Sequence, residues 1–241
     1  MSLSWPRRLE VALSPAGAAW AGGAAAGAPA EAFAAALAAA AGERRVHATL
    51  GGSLAHYLAL PWPDEVVEEA ECTAYAAHHF RRVFGEAAAG WAIRVDAEEA
   101  GVRLACATEQ SLLDALQAAA RAAGRRLVSV QPFLAAAFNG WRREFGQAPA
   151  LFVTLEPGRW CAAHLAGGDW RSLRSGRLEG DAAAALVALV ARETALAADA
   201  ALPVRVYAPA FPQLREQLEG LGERVKLLQR PGEPLHAPAA H

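Results

Sequence analysis

Cysteine is scarce in this chain. Cys72, Cys106 and Cys161 lie far apart, with no Cys-x-x-Cys pair and no Cys/His spacing of a zinc site. An odd number of scattered thiols argues against a disulfide framework, fits a reducing compartment and reads most simply as small core residues. Long apolar runs are missing too. No stretch reaches the ~18 uninterrupted apolar residues of a membrane-spanning helix. The segment after Arg7-Arg8 has the outline of a signal peptide, but Glu10 enters it at once and Pro15, Gly17, Gly22 and Gly23 break it. A secreted chain is the alternative reading of that segment; the interruptions favour a cytoplasmic protein without direct membrane insertion.

No run of basic residues occurs either. With 23 basic against 25 acidic residues and a formal charge of -2, nucleic acid is not an expected partner. The Gly-x-Ser-x-Gly of a hydrolase elbow and the His-Glu-x-x-His of a zinc protease are absent. Gly51-Gly52-Ser53 has the glycines of a phosphate loop but neither its lysine nor its spacing.

What the chain has is alanine, helix periodicity and well-marked turns. Its 241 residues suffice for one large domain or two modest lobes, and 54% are hydrophobic. Much of that share is alanine, so a thin core is expected. Strands are expected at Arg8–Ser14, paired with a short WAGG segment, then at Arg45–Leu50 and Ala55–Leu60. A helix is expected over Pro29–Ala41 and another over Asp64–Phe84, with Asp64 as cap, acids in its first turns and Gly85 as its stop. A strand pair follows at Trp91–Val95 and Val102–Ala107, then a helix over Glu109–Ala123, a strand over Arg126–Val130 and a helix opened by Pro132. Ala150–Gly176 reads as three strands, LFVTLE, RWCAAHLA and DWRSLRS, broken at Pro157-Gly158 and Gly167-Gly168. Helices over Gly180–Ala198 and Phe211–Leu221 and strands at Val204–Tyr207 and Arg224–Leu228 complete an α/β pattern in two halves, with no exact sequence repeat.

This order, with LALPWPDEV, the helix AYAAHHFRRVFG and the unit LLDALQAAARAAGRRLVSVQPFLAAAFN carrying Asn139, resembles the actin-like assembly proteins of bacterial type IV pilus and type II secretion machines. That group comprises PilM, the cytoplasmic part of GspL, and MshI. The resemblance covers roughly residues 5–210. It implies an actin-like, ribonuclease H-like two-lobed fold with mixed sheets flanked by helices. Residues 1–146 would form the first lobe, with a smaller unit inserted at about 45–107. Residues 147–229 would form a second, truncated lobe, and 230–241 a disordered tail.

In such a fold two strand-turn-strand hairpins embrace a nucleotide's phosphates, and a glycine-rich turn holds the adenosine. The turns concerned here are Ser14-Pro15-Ala16-Gly17 and Glu156-Pro157-Gly158-Arg159, with the adenosine turn near Ala208-Pro209-Ala210. Ser14, Gly17, Glu156, Gly158 and Arg159 are therefore the candidate cleft residues. The first turn lacks Asp-x-Gly-Ser/Thr, Pro15 and Pro157 each remove an N–H donor, and the adenosine turn has no Gly-Gly. Glu156 is the one stand-in for a metal-binding Asp.

The expectation is a non-catalytic pseudo-ATPase scaffold without a bound cofactor. Its partners would be other pilus or secretion assembly proteins, and pairing of two copies is compatible with that reading. An ATP·Mg-binding protein that switches lobe closure is the alternative. A small-molecule enzyme on another α/β fold is the remoter one. Other constellations favour bland roles. His78 and His79 are neighbours on a helix and point about 100° apart, so they do not converge with Cys72 on a metal. Glu98-Glu99 sits in a hairpin turn. Trp160 and Trp170, close to Arg159, Arg171 and Arg174, are candidates for the cleft wall or a partner surface, against ordinary burial.

Overall fold

The computed structural model describes residues 8–40, 42–96, 101–218 and 223–229. In its first strand, β1 (Arg8–Ser14), Leu9, Val11 and Leu13 are buried while Arg8, Glu10 and Ser14 are exposed. This is the period of two expected of a strand with one face on a core. β1 leads into an antiparallel meander with β2 (Gly17–Trp20) and β3 (Gly23–Ala26). On its other side it pairs in parallel with β4 (Arg45–Leu50), which pairs in parallel with β8 (Arg126–Pro132).

The second sheet repeats this plan strand for strand. β9 (Ala150–Glu156), β10 (Arg159–Ala166) and β11 (Asp169–Arg177) form the meander, and β12 (Val204–Tyr207) and β13 (Val225–Leu227) are the parallel additions. The orders β3-β2-β1-β4-β8 and β11-β10-β9-β12-β13 are the same topology twice. One packing detail repeats with it. Trp20 pairs with Gly23 and Trp160 with Gly176, and each indole fills the space a Cβ on that glycine would take.

A third sheet, in the order β5-β7-β6, lies between β4 and β8 in sequence and consists of β5 (His56–Pro61), β6 (Trp91–Val95) and β7 (Val102–Glu109). With α2 (Glu69–Phe84) it has its own small core around Leu60, Trp62, Phe80 and Ile93. Arg45–Leu50, placed by sequence in this inserted unit, belongs instead to the first sheet. The helix expected from Asp64 starts five residues later, because the Trp62 indole N–H takes the Val66 carbonyl at 2.9 Å and holds 63–66 as a turn. The N-terminal hairpin is a full three-stranded meander; strands of glycine and alanine such as GAAA carry little β signal. The 230–241 tail lies outside the described residues, among which no helix is long and apolar enough to cross a membrane.

α1 (Pro29–Ala39) and α3 (Gln110–Ala122) cover the apolar face of the first sheet with Phe33, Leu37 and Leu116. α4 (Phe133–Trp141) runs between the two five-stranded sheets. Phe138 packs on Trp170 at 4.6 Å, and Phe133 stacks on Tyr207 at 5.5 Å. Pro132 precedes this helix rather than entering its first turn, and the Tyr57 hydroxyl accepts the Leu134 N–H at 3.3 Å. α5 (Ala182–Leu196) covers the outer face of the second sheet, where Leu186 and Val190 pack with Leu151, Val153 and Val206; α6 (Leu214–Leu218) closes that core.

The two inner faces differ. That of the second sheet, under α4, is apolar, with Phe152, Ala163, Leu165 and Trp170. That of the first, beside α4, carries Glu10, His47, Thr49, Ser129 and Gln131 around a hollow of about 540 Å³.

α5 is anchored by a buried charge. Glu193 is fully buried, yet its carboxylate takes Arg174 at 2.8 Å, Arg192 at 2.9 Å and His164 at 3.2 Å. Burial would raise its pKa, but hydrogen bonds from Arg192 and His164, together with Arg174, outweigh that and hold it below the ordinary carboxylate range. A depressed carboxyl contributes stability that is present above its unfolded pKa and lost as pH falls through the folded one. Glu193→Gln is expected to destabilise the fold at pH 7 by roughly 1–3 kcal/mol and to flatten the acid limb of a stability-against-pH curve. An acid limb identical to wild type in thermal unfolding contradicts this.

Candidate ligand cleft

Four segments meet at one end of the two five-stranded sheets: the β1–β2 turn, the chain after β4, the β9–β10 turn and the chain after β12. They enclose a cavity of about 800 Å³. All five residues selected from sequence, Ser14, Gly17, Glu156, Gly158 and Arg159, line it, as do Pro209 and Ala210 of the expected adenosine turn.

Both hairpins close through two-residue loops, Pro15-Ala16 between the paired Ser14 and Gly17, and Pro157-Gly158 between the paired Glu156 and Arg159. Proline supplies no N–H at the first loop position of either. The Ser14 hydroxyl turns onto the Gly17 carbonyl at 3.4 Å, so it serves its own turn.

Glu156 is the centre of the site. The strand alternation of β9 sends Leu151, Val153 and Leu155 into the α5 core and Glu156 to the inner face. There its Oε1 accepts the Gly52 N–H at 2.9 Å, which links the second sheet to the segment following β4 of the first. Gly51 makes the approach possible. A Cβ at that position would collide with Glu156 Oε1 and sit 3.1 Å from the Leu13 carbonyl oxygen, which already accepts the Gly51 N–H at 2.8 Å. Burial pushes the Glu156 carboxyl up to about 7; the Gly52 N–H and the charge of Arg159 pull the other way without cancelling it.

Sequence reasoning missed two sets of lining residues. Gly51-Gly52-Ser53, dismissed as a Walker loop, is drawn in by the hydrogen bond to Glu156. Ser175 and Arg177 belong to β11. Their signal was the register: the two-residue Gly167-Gly168 turn carries β11 back along β10, and a one-residue shift after His164 places Arg177 opposite Arg159. Other candidates lie elsewhere. Trp160 is on the outer face under the Arg192 guanidinium at 4.9 Å, Trp170 is buried in the core at 1% exposure, and Asn139 borders a different hollow. Among the described residues no three metal-ligating side chains cluster, so Cys72, His78 and His79 form no such group. Glu98 and Glu99 lie outside the described residues.

A magnesium–nucleotide needs an acid to hold the ion and backbone N–H groups facing the phosphates. Here the first turn has no acid; Glu156, the only acid among the described lining residues, is engaged by Gly52 and has its carboxyl pushed up to about 7; and each turn has lost a donor to proline. These residues do not fit a magnesium–phosphate group.

A raised carboxyl has the opposite pH signature to Glu193. The folded state binds the proton more tightly, so stability falls as pH rises from about 4.5 to about 7, by on the order of 3 kcal/mol, and is level above. Glu156→Gln keeps the acceptor for Gly52 and is expected to match wild type at pH 4 and exceed it at pH 8. Gly51→Ala is expected to cost roughly 1–3 kcal/mol in a wild-type background and markedly less when combined with Glu156→Ala. Chemical denaturation of five proteins across this pH range, wild type, Glu156→Gln, Gly51→Ala, Glu156→Ala and the Gly51→Ala/Glu156→Ala double variant, measures both; additive effects in the double variant contradict the contact.

No family model and no curated protein matches the chain by sequence. Solved structures do match by shape. A Bacteroides thetaiotaomicron protein with an actin-like ATPase fold superposes with a TM-score of 0.60 at 8% identity, covering 92% of this chain and 90% of the other. The PilM–PilN type IV pilus biogenesis complex gives 0.60 at 14% identity, covering 91% and 87%. The cytoplasmic domain of EpsL, an inner membrane component of the Vibrio cholerae type II secretion system, gives 0.53 at 14%, covering 84% and 82%. These likenesses, with the doubled five-strand topology and the cleft between the two sheets, establish that the chain has the actin-like fold.

Proposed function

We propose that this chain is a non-catalytic actin-like scaffold of a bacterial inner-membrane assembly machine of the type IV pilus or type II secretion kind. It acts through protein–protein contacts and is held at the membrane by its partners. The observation that carries the non-catalytic half is the Glu156–Gly52 hydrogen bond: the one acid among the described cleft residues braces the two sheets against each other. Hydrolysis of a magnesium nucleotide needs a group free to hold the ion or orient water, and among the described residues no other lining side chain offers a carboxylate. The assembly half draws support from the structural likeness to PilM, solved in complex with PilN, and to the EpsL cytoplasmic domain.

Two measurements test the proposal. Purified chain with ATP and Mg²⁺ is expected to show no turnover; hydrolysis at about 1 per second or faster, the ordinary enzyme range, overturns the non-catalytic reading. Cross-linking in the native cell, followed by membrane fractionation, is expected to recover the chain with membrane-anchored pilus or secretion components. A chain found wholly in the soluble fraction without such components overturns the assembly reading.

A further inference from the structure

We infer that the end of the first sheet remote from the cleft is a docking face for an acidic segment of a partner protein, read by arginines at the starts of β1, β4 and β8. The chain contains Arg7-Arg8, Arg44-Arg45 and Arg125-Arg126, far apart in sequence. The second arginine of each pair is the first residue of a strand: Arg8 opens β1, Arg45 opens β4 and Arg126 opens β8. These strands are parallel neighbours, and their register sets Arg8 opposite Arg45 and Arg45 opposite Arg126. Residues so paired leave one face at the spacing of the strands, so three arginine stems form a row about 10 Å long. All three residues are exposed, as is Arg44, whose carbonyl accepts the Arg126 N–H at 2.8 Å. The cleft lies at the other ends of β1 and β4, at Ser14 and Gly51.

Like charges placed opposite one another across strands repel, so the row costs the isolated chain stability. The chain's own acids relieve only its edge. Glu10 takes Arg8 at 2.8 Å. Among the described residues Arg44, Arg45 and Arg126 have no ion-pair partner, and Glu43 makes no ion pair either. Arg125 shows the contrast, since its guanidinium donates to the Ala40 and Glu43 carbonyl oxygens. The positive field also reaches inward: after burial, Arg8 and Arg45 are what hold the His47 imidazole below its ordinary range, against the pull of Glu10.

A segment with several carboxylates supplies what the row lacks, because each guanidinium fork takes a carboxylate through two N–H donors. A bilayer fits less well. Docking on a lipid surface uses apolar side chains beside the charges. Among the described residues the exposed large apolar ones, Val67, Val83, Val187 and Leu196, all lie outside β1, β4 and β8. The inference rests on the scaffold reading in taking the partner to be a protein, and adds that partner's chemistry.

The test is a fluorescence-anisotropy titration of the full chain against a labelled peptide of alternating Glu and Ala, about ten residues long. In low salt it is expected to bind with a Kd of about 0.1 mM or below, and the same peptide with Gln in place of Glu not to bind. Phosphatidylglycerol vesicles and a DNA duplex are expected to compete less well, charge for charge, than unlabelled peptide. Arg45→Glu with Arg126→Glu is expected to weaken binding about ten-fold or more. Arg81→Glu with Arg82→Glu reverses the same charge on an exposed part of α2 and is expected to leave binding within about two-fold. Arg45→Gln is expected to weaken binding and yet raise the Tm of the free chain by about 1–3 °C, which an arginine serving only the fold would not do. A Kd above about 0.1 mM, like losses in the two double variants, stronger competition by vesicles or duplex, or a lowered Tm for Arg45→Gln overturns the inference. Any of these leaves the cross-linking and fractionation test of the scaffold reading standing on its own result.

Discussion

The arrangement rests on one hydrogen bond, from the Gly52 N–H of the segment after β4 to the Glu156 carboxyl at the end of β9. It joins the two halves of a doubled fold at the mouth of their common cleft. A buried carboxyl is costly unless it is paired or protonated. Glu156 is partly both, with a backbone donor, a nearby arginine and a pKa near neutrality. The contact exists because position 51 has no side chain, so a glycine pair on one lobe and a carboxyl on the other act as a single device.

This device separates architecture from chemistry. The hairpin turns stand where a phosphate-clamping cleft has them, and the cavity between them persists. The acid that would serve a metal is an acceptor for backbone instead, and the first turn offers none. The same separation shows in the two inner faces. The second sheet keeps an apolar face for α4, while the first turns Glu10, His47 and Gln131 towards an open hollow.

Much of this was legible in sequence, and the failures have identifiable causes. Strong alternation in Arg8–Ser14 marked the first strand, and the Pro-Gly and Gly-Gly breaks after residue 150 marked the second meander and its turns. The alanine strands β2 and β3 were barely visible, since alanine prefers helix and carries no alternation. The topological repeat showed in sequence only as two halves of similar order, each opening with antiparallel strands, because the two sheets share pairing order without sharing side chains, beyond a tryptophan over a glycine. In the cleft, residues on hairpin turns were found because turn chemistry is local. Gly51, Gly52 and Arg177 were missed because their roles depend on what the fold brings opposite them, which is a matter of register and not of motif.

NMR of the uniformly labelled chain, followed from pH 4 to pH 9, addresses the interlobe hydrogen bond itself. The Gly52 amide proton should shift with a midpoint close to that of the Glu156 carboxyl carbon, both at about 7, because one group donates to the other. A Glu156 midpoint in the ordinary carboxylate range, with a Gly52 amide that does not follow it, would mean that the carboxyl faces solvent and stands free in the cleft.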